Sequence, residues 1–164
     1  MKYGRELPMQ HLDELDKAIL AQLQSDARMT NRDVAAAVGV SPTTALDRTR
    51  ALRRRGIVRG AVLDVDLAKL GRSVQALISV RIRPPSRRNI ESFRDWVATL
   101  SDVLGVFVVS GDDDFIIHFA VPDNESLYAF VIDRLTERAE IANVRTTVVY
   151  EHLQNRRIRV PTNA

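Results

Sequence analysis

Arg48, Arg50, Arg53 and Arg54 fall within seven residues, and Ser41, Thr43 and Thr44 stand just ahead of them. Guanidinium groups can grip phosphate oxygens or guanine edges. Small hydroxyls allow close approach and donate to phosphates or base edges. Together these groups suit contact with a phosphate-bearing polyanion. Other chemistries have little to work with. There are no cysteines, which removes disulfides, thiolate metal sites and thiol nucleophiles. The three histidines, His11, His118 and His152, are scattered without metal-ligand spacing. His118 or His152 could be paired with Asp114 or Glu151 for acid–base work, yet each histidine has apolar strand-like neighbours and reads as a packing residue. No nucleophile motif or phosphate loop is present. No catalytic residue, metal site or cofactor is expected.

The charge distribution supports the polyanion reading. Residues 41–60 hold six arginines and one aspartate. Residues 1–60 carry 11 Lys and Arg against 7 Asp and Glu, whereas residues 61–164 carry 13 against 14. Of the 164 residues 45% are hydrophobic and 27% charged, with a mean hydropathy of −0.14, values typical of a globular protein. No stretch approaches the roughly 18 apolar residues of a membrane span. No basic-then-apolar leader opens the sequence. The expectation is a cytoplasmic, nucleoid-associated protein with no membrane partner.

Helices must hold the arginines. Residues 12–25 place Leu12, Leu15, Ile19, Leu20 and Leu23 at helical spacing, with Asp13, Glu14 and Asp16 at the start, where acids suit the helix dipole. Thr30 and Asp33 have capping-box spacing ahead of Val34, Ala35 and Val38, and Gly39 suits a left-handed stop. Ser41-Pro42 then predicts a third helix running to about Arg55 and ending at Gly56. Ala45, Leu46, Thr49 and Leu52 form its thin apolar face. Its exposed face presents Thr43, Thr44, Asp47, Arg48, Arg50, Arg53 and Arg54. Two short helices around a Gly-containing turn, the second basic and headed by hydroxyls, predict a helix-turn-helix that binds double-stranded DNA. Residues 57–63 look like a short extended wing, and 64–71 like a turn and linker.

The pattern changes at Arg72. Residues 73–83 alternate, with Val74, Ala76, Ile78, Val80 and Ile82 on one face, and Pro84-Pro85 ends the strand. A helix capped by Asn89 follows, with Ile90, Phe93, Trp96, Val97 and Leu100 as its stripe. Strands are predicted at 103–110, 115–121 and 143–153, and a second helix opens at Pro122-Asp123. The order β-α-β-β-α-β is the ferredoxin-like unit. One sheet face carries the helices. In one or other strand register Leu77, Leu104, Val106, Val108, Ile116 and Ala120 make the other too apolar to leave wet, so a second copy should cover it. Residues 155–164, with Arg156, Arg157 and Arg159, read as a loose basic tail. The fold class is α+β: a winged helix-turn-helix domain at 1–60, a linker at 61–72 and a βαββαβ domain at 73–164.

Ordered motifs also carry a family resemblance. Leu12-Asp13-Glu14-Leu15-Asp16 followed by Ile19-Leu20, then Asp26-Ala27-Arg28, then Val38-Gly39-Val40-Ser41-Pro42-Thr43, then Arg48, Leu52, Gly56-Ile57-Val58 and Arg59-Gly60, and finally Gly111-x-x-Asp114-Phe115, stand in the order and spacing of the Lrp/AsnC transcription regulators. The chain resembles that family from about residue 12 to 154. The resemblance implies a βαββαβ ligand-sensing and oligomerisation domain, dimers that assemble to tetramers or octamers, and a small effector, commonly an amino acid. It implies an effector site at Ser110, Gly111, Asp112 and Asp114, with Thr146 nearby. The chemistry agrees in part: Asp112 and Asp114 offer acceptors for an ammonium, and N–H groups around Gly111 offer donors for a carboxylate. There are departures. Only Thr146-Thr147 carries the family's threonine-rich last strand, Gln154 replaces a lysine, Thr49 stands where valine is usual, and Asp112-Asp113-Asp114 is unusually acidic.

The function read from the sequence is therefore a sequence-specific DNA-binding regulator responsive to a small effector. Two alternatives stand beside it: an architectural nucleoid-type DNA-binding protein without effector, and an amino-acid-metabolising enzyme or its regulatory domain.

Overall fold

The computed structural model describes residues 11–155, 157, 158 and 160. They form two compact units, the first of residues 11–63 with the described residues from 153 onward, the second of 64–152.

In the first unit, helix α1 is Glu14–Ser25, α2 is Asn31–Val38 and α3 is Pro42–Arg54. Each begins at a side-chain cap. Asp13 accepts from Asp16 N–H at 2.8 Å. Thr30 and Asp33 form the reciprocal capping box. Ser41 Oγ accepts from Thr44 N–H at 3.1 Å. Gly39, at φ 76°, ends α2 in the left-handed conformation that glycine adopts without a Cβ clash. Ile19, Leu20, Val34, Ala35, Ala45 and Leu52 form the shared core. Residues 57–63 run on without forming a regular strand.

The expected loose tail is corrected where it is described. The Gln24 amide donates to Ile158 O at 3.2 Å and accepts from Ile158 N–H at 2.6 Å. Arg157 donates to Ser25 Oγ at 2.9 Å, and Val160 packs on the helical core. An amide supplies both donor and acceptor, so one side chain satisfies both backbone groups of Ile158. Arg156 and Arg159 lie outside the described residues. The described residues from Leu153 onward thus group with the helices, where the second domain was expected to run to 164.

The second unit contains β1 (Val74–Ile82), α4 (Arg87–Val97), β2 (Val103–Val108), β3 (Phe115–Val121), α5 (Asn124–Ala129) and β4 (Ile141–Val149). The antiparallel sheet has the order β2-β3-β1-β4. Alternation along β1 buries Ala76, Ile78, Val80 and Ile82 under the helices with Phe93, Val97, Phe115, Ile117 and Phe119. Several boundaries move, including the end of β2, which stops at Val108 where 110 was expected. Ser86, not Asn89, caps α4, its hydroxyl accepting from Asn89 N–H at 3.1 Å. After α5 the helix widens to a π-type turn at Phe130–Leu135. Strand β4 begins at Ile141 and ends at Val149, where 143–153 was expected.

The open sheet face also needs correction. An irregularity between Val103 and Gly105 shifts the β2 register. Val106 then pairs with Ile117 and Val108 with Phe115, and both valines pack on the core. Ala120 is buried too. Leu77 and Ile116 stay on the open face, Leu104 stays exposed as expected, and Phe107 joins them at 58% exposed.

Candidate DNA-binding face and effector hairpin

Helix α3 divides its residues by angle. Ala45, Thr49 and Leu52 are buried. Thr43, Asp47, Arg50 and Arg54 recur at the i, i+4, i+7 and i+11 positions of the opposite side and are exposed, with Arg53 exposed beside them. Arg50, Arg53 and Arg54 make no side-chain hydrogen bond or ion pair among the described residues. This is a single stripe of free guanidinium groups.

Arg48 leaves that stripe. It lies four residues before buried Leu52, so helical spacing turns it toward the core side. Its guanidinium donates to Asp13 and to Asp16, the latter at 3.3 Å. Arg55 reaches Asp16 at 3.3 Å and the His11 carbonyl at 2.6 Å. Asp16 is buried, so two arginines on the end helix neutralise one acid of the first. The Asp16 N–H, and then Arg48, hold the Asp13 carboxyl below its ordinary range, and Asp13 raises Arg48 in turn. Arg48, expected on the exposed face, is half-buried and ties α3 to α1. Ser41 and Thr44 are engaged as well, their hydroxyls 2.8 Å apart at the helix cap. Ser41 and Thr43 are both exposed, and Thr43 is the one whose hydroxyl makes no bond among the described residues. Asp13 and Asp16 were not expected as partners of Arg48. The only local sign was the position of Arg48 relative to Leu52.

The hairpin between β2 and β3 divides its acids in the same way. Asp114 Oδ2 accepts from Ile82 N–H at 2.7 Å and stands 3.9 Å from Arg83. Its backbone bridges Val80 O at 2.9 Å and Val109 N–H at 3.0 Å. Asp114 is thus a strut between the hairpin and the end of β1, where an accessible ammonium acceptor was expected. Asp113 is paired with Arg145 of β4 at 2.6 Å. Asp112 is exposed and makes no side-chain bond among the described residues. Ser110 is exposed as well, and Gly111 holds φ 130°, a backbone region that side chains with Cβ avoid. Thr146 makes no hydrogen bond to this hairpin among the described residues, although its neighbour Arg145 reaches Asp113. Thr146 pairs with Ile78, and β1 stands between β4 and β3.

The histidines meet neither proposed acid–base partner. His118 Nε2 lies 3.0 Å from Gln75 Oε1, and its ring stands edge-on to His152 with centroids 5.3 Å apart. Burial, and then His152, lowers the His118 pKa. No helix among the described residues is long and apolar enough to cross a membrane.

Known proteins match both units. Residues 12–59 match a profile described as winged helix-turn-helix DNA-binding, and residues 75–158 one described as the Lrp/AsnC ligand binding domain. The HTH-type transcriptional regulator AldR of Mycolicibacterium smegmatis is 37% identical over 92% of this chain and 88% of its own. The leucine-responsive regulatory protein of Escherichia coli is 29% identical over 97% of this chain and 98% of its own. A transcriptional regulator of Neisseria meningitidis, solved in complex with L-Met, superposes with a TM-score of 0.83 at 27% identity, covering 92% of this chain and 97% of that one.

Proposed function

This chain belongs to the Lrp/AsnC family of transcriptional regulators, a premise from which we propose how it reads DNA and what it senses. It is a regulator with a DNA-binding helix-turn-helix and a ligand-binding domain, and its relatives are regulators rather than enzymes. The observation that carries the proposal is the stripe of free side chains on α3, opposite a fully buried apolar edge.

Helix α3 enters the major groove of double-stranded DNA. Thr43 and Asp47 face the bases near its N-terminal end, and Arg50, Arg53 and Arg54 reach guanine edges or phosphates. Ser41 and Thr44 preset the start of the helix, and Arg48 sets its tilt. Phe107, Leu77 and Ile116 pair the sheet with that of a second copy, which gives a two-fold protein two recognition helices for grooves about 34 Å apart. Further assembly to tetramers or octamers brings hairpins of different dimers together. The protein works on the nucleoid, in the cytoplasm.

The effector is a free amino acid held at Ser110–Asp114. L-Met in the Neisseria relative supports the ligand class. Asp112 receives the ammonium and N–H groups around Gly111 hold the carboxylate. Asp114 keeps the hairpin in shape. Thr146 joins the site from another copy. Such a ligand shifts assembly only by its differential affinity for the two states, and a coupling of roughly 1–3 kcal/mol makes a useful switch.

A thermal-shift screen of the free amino acids followed by calorimetry tests this. At least one amino acid should raise the melting temperature, Asp112→Asn should lose that response, and ligand-free Asp112→Asn should still bind DNA. If no amino acid binds, or if Asp112→Asn responds like the parent, the sensing proposal fails.

A further inference from the structure

We propose that the C-terminal segment around Ile158 is a strap that docks on the end of α1 and carries the effector state of β4 to the helix-turn-helix. The docking stands on the contacts alone, and the carrying role rests on the sensing proposed above. The Gln24 side chain pairs with Ile158 as a neighbouring strand would. Its oxygen accepts from Ile158 N–H at 2.6 Å and its NH2 donates to Ile158 O at 3.2 Å. Arg157 donates to Ser25 Oγ at 2.9 Å. Ser25 is the last residue of α1, and the last turn of that helix holds no basic residue of its own. Arg157 therefore supplies the positive charge that a helix C-terminus favours. Val160 packs against the helical core.

The strap has two states, docked and free. Its partners lie 134 and 132 residues earlier, and all three hydrogen bonds are exposed. Contacts of that kind open at low cost and without unfolding a helix or a strand. What stands at either end gives the strap something to carry. The chain leaves β4 at Val149 and joins the helical unit at Leu153, four residues on. Strand β4 is an edge strand held by β1 alone, and its Arg145 grips Asp113 of the effector hairpin at 2.6 Å. The opposite end of α1 carries Asp13 and Asp16, which hold Arg48 of α3. An effector that rearranges the hairpin thus acts on β4 through Arg145, on α1 through the strap, and on the recognition helix through Arg48. It shifts the strap only by its differential affinity for the docked and free states. The route runs within one chain, beside the linker at 61–72.

Trypsin tests the docking in the full chain, because Arg156, Arg157 and Arg159 put three cleavage points in the strap. Cleavage tracks the open population of a segment. Gln24→Ala removes both bonds to Ile158 and should speed cleavage there roughly fivefold or more, with a smaller gain in Ser25→Ala. Equal rates in the parent and Gln24→Ala overturn the docking. The carrying role is tested by DNA affinity with and without an amino acid that calorimetry shows to bind. Gln24→Ala should keep the amino-acid affinity and the ligand-free DNA affinity within about twofold, while the ligand-induced change in DNA affinity should shrink roughly threefold or more. A Gln24→Ala protein that responds like the parent overturns the strap, as does a parent that binds an amino acid with no change in DNA affinity. A parent that binds no amino acid overturns the sensing proposal and the carrying role together, and the trypsin result still decides the docking.

Discussion

The two units place charge and apolar surface in opposite ways. The helical unit has a small core, buries Asp16, and spends Arg48 and Arg55 on neutralising it. What it leaves outside is Arg50, Arg53 and Arg54. The sheet unit has a larger and wholly apolar core, and what it leaves outside is apolar: Phe107, Leu77 and Ile116. The first unit presents charge to a polyanion. The second presents a greasy face, and a face of that kind is completed by another protein surface. Exposure alone does not identify a functional residue. In both units the free groups stand beside struts of the same chemical type, as Arg50 does beside Arg48 and Asp112 beside Asp114.

The contrast is most open to attack at the sheet. Phe107→Asp puts a charge into the proposed pairing face and should cost several kcal/mol of association, seen as monomers in sedimentation at micromolar concentration. The fold itself should survive, because Phe107 lies off the core. Ile117→Ala, one strand away on the buried side, should instead cost about 2–5 kcal/mol of folding stability. If the two variants behave alike, the division of faces is wrong.

The helical unit is tested at its charge network. Asp16→Ala leaves two arginines without their shared acid and should lower unfolding free energy by about 2 kcal/mol. The arginines are partly exposed, which keeps the loss below that of a dry ion pair. Denaturant titration measures it. Arg48→Ala and Arg50→Ala sharpen the same comparison. Arg50→Ala should weaken DNA binding and lower its salt slope by about 1 with the melting temperature unchanged. Arg48→Ala should lower the melting temperature first, and DNA affinity only through the tilt of α3.

Smaller effects follow from single groups. The Thr49 hydroxyl is buried without a hydrogen-bond partner among the described residues, so Thr49→Val should stabilise by about 1 kcal/mol in thermal unfolding. The pH dependence should also separate the units. His118 has a pKa lowered from the ordinary 6.5. The unfolded chain therefore takes up its proton first, and the sheet unit loses stability as pH falls below about 6.5 toward the lowered value. Asp13 in the helical unit is lowered from 3.8. Its contribution is present above that value and is lost as pH falls through it toward the lowered folded pKa. Unfolding followed at Trp96, in the sheet unit, should sense the first loss.

Much of this was legible in the sequence where the physics is local. Thr30 with Asp33, and Ser41 with Pro42, announce helix starts because a cap bonds three residues away. The alternation of β1 is legible because a strand has period two. What could not be read depends on distant partners. Arg48 bonds to an acid 35 residues earlier and Asp114 to a backbone N–H 32 residues earlier, and no local pattern records either. Phe107 was missed, and Val106 and Val108 misassigned, because one irregularity before Gly105 reverses which side each later residue faces. The histidine contact is invisible for the same reason, since it needs the strand order as well as the sequence.

The central claim is that an amino acid controls which DNA this protein occupies through the free face of α3. Capture of fragmented genomic DNA by the full-length protein, sequenced with and without each amino acid, tests it directly. A small set of recurring sites should be enriched, at least one amino acid should change their occupancy fivefold or more (about 1 kcal/mol of coupling), and Arg50→Ala should lose the enrichment. Uniform recovery of the genome, or enriched sites that no amino acid shifts, would contradict it.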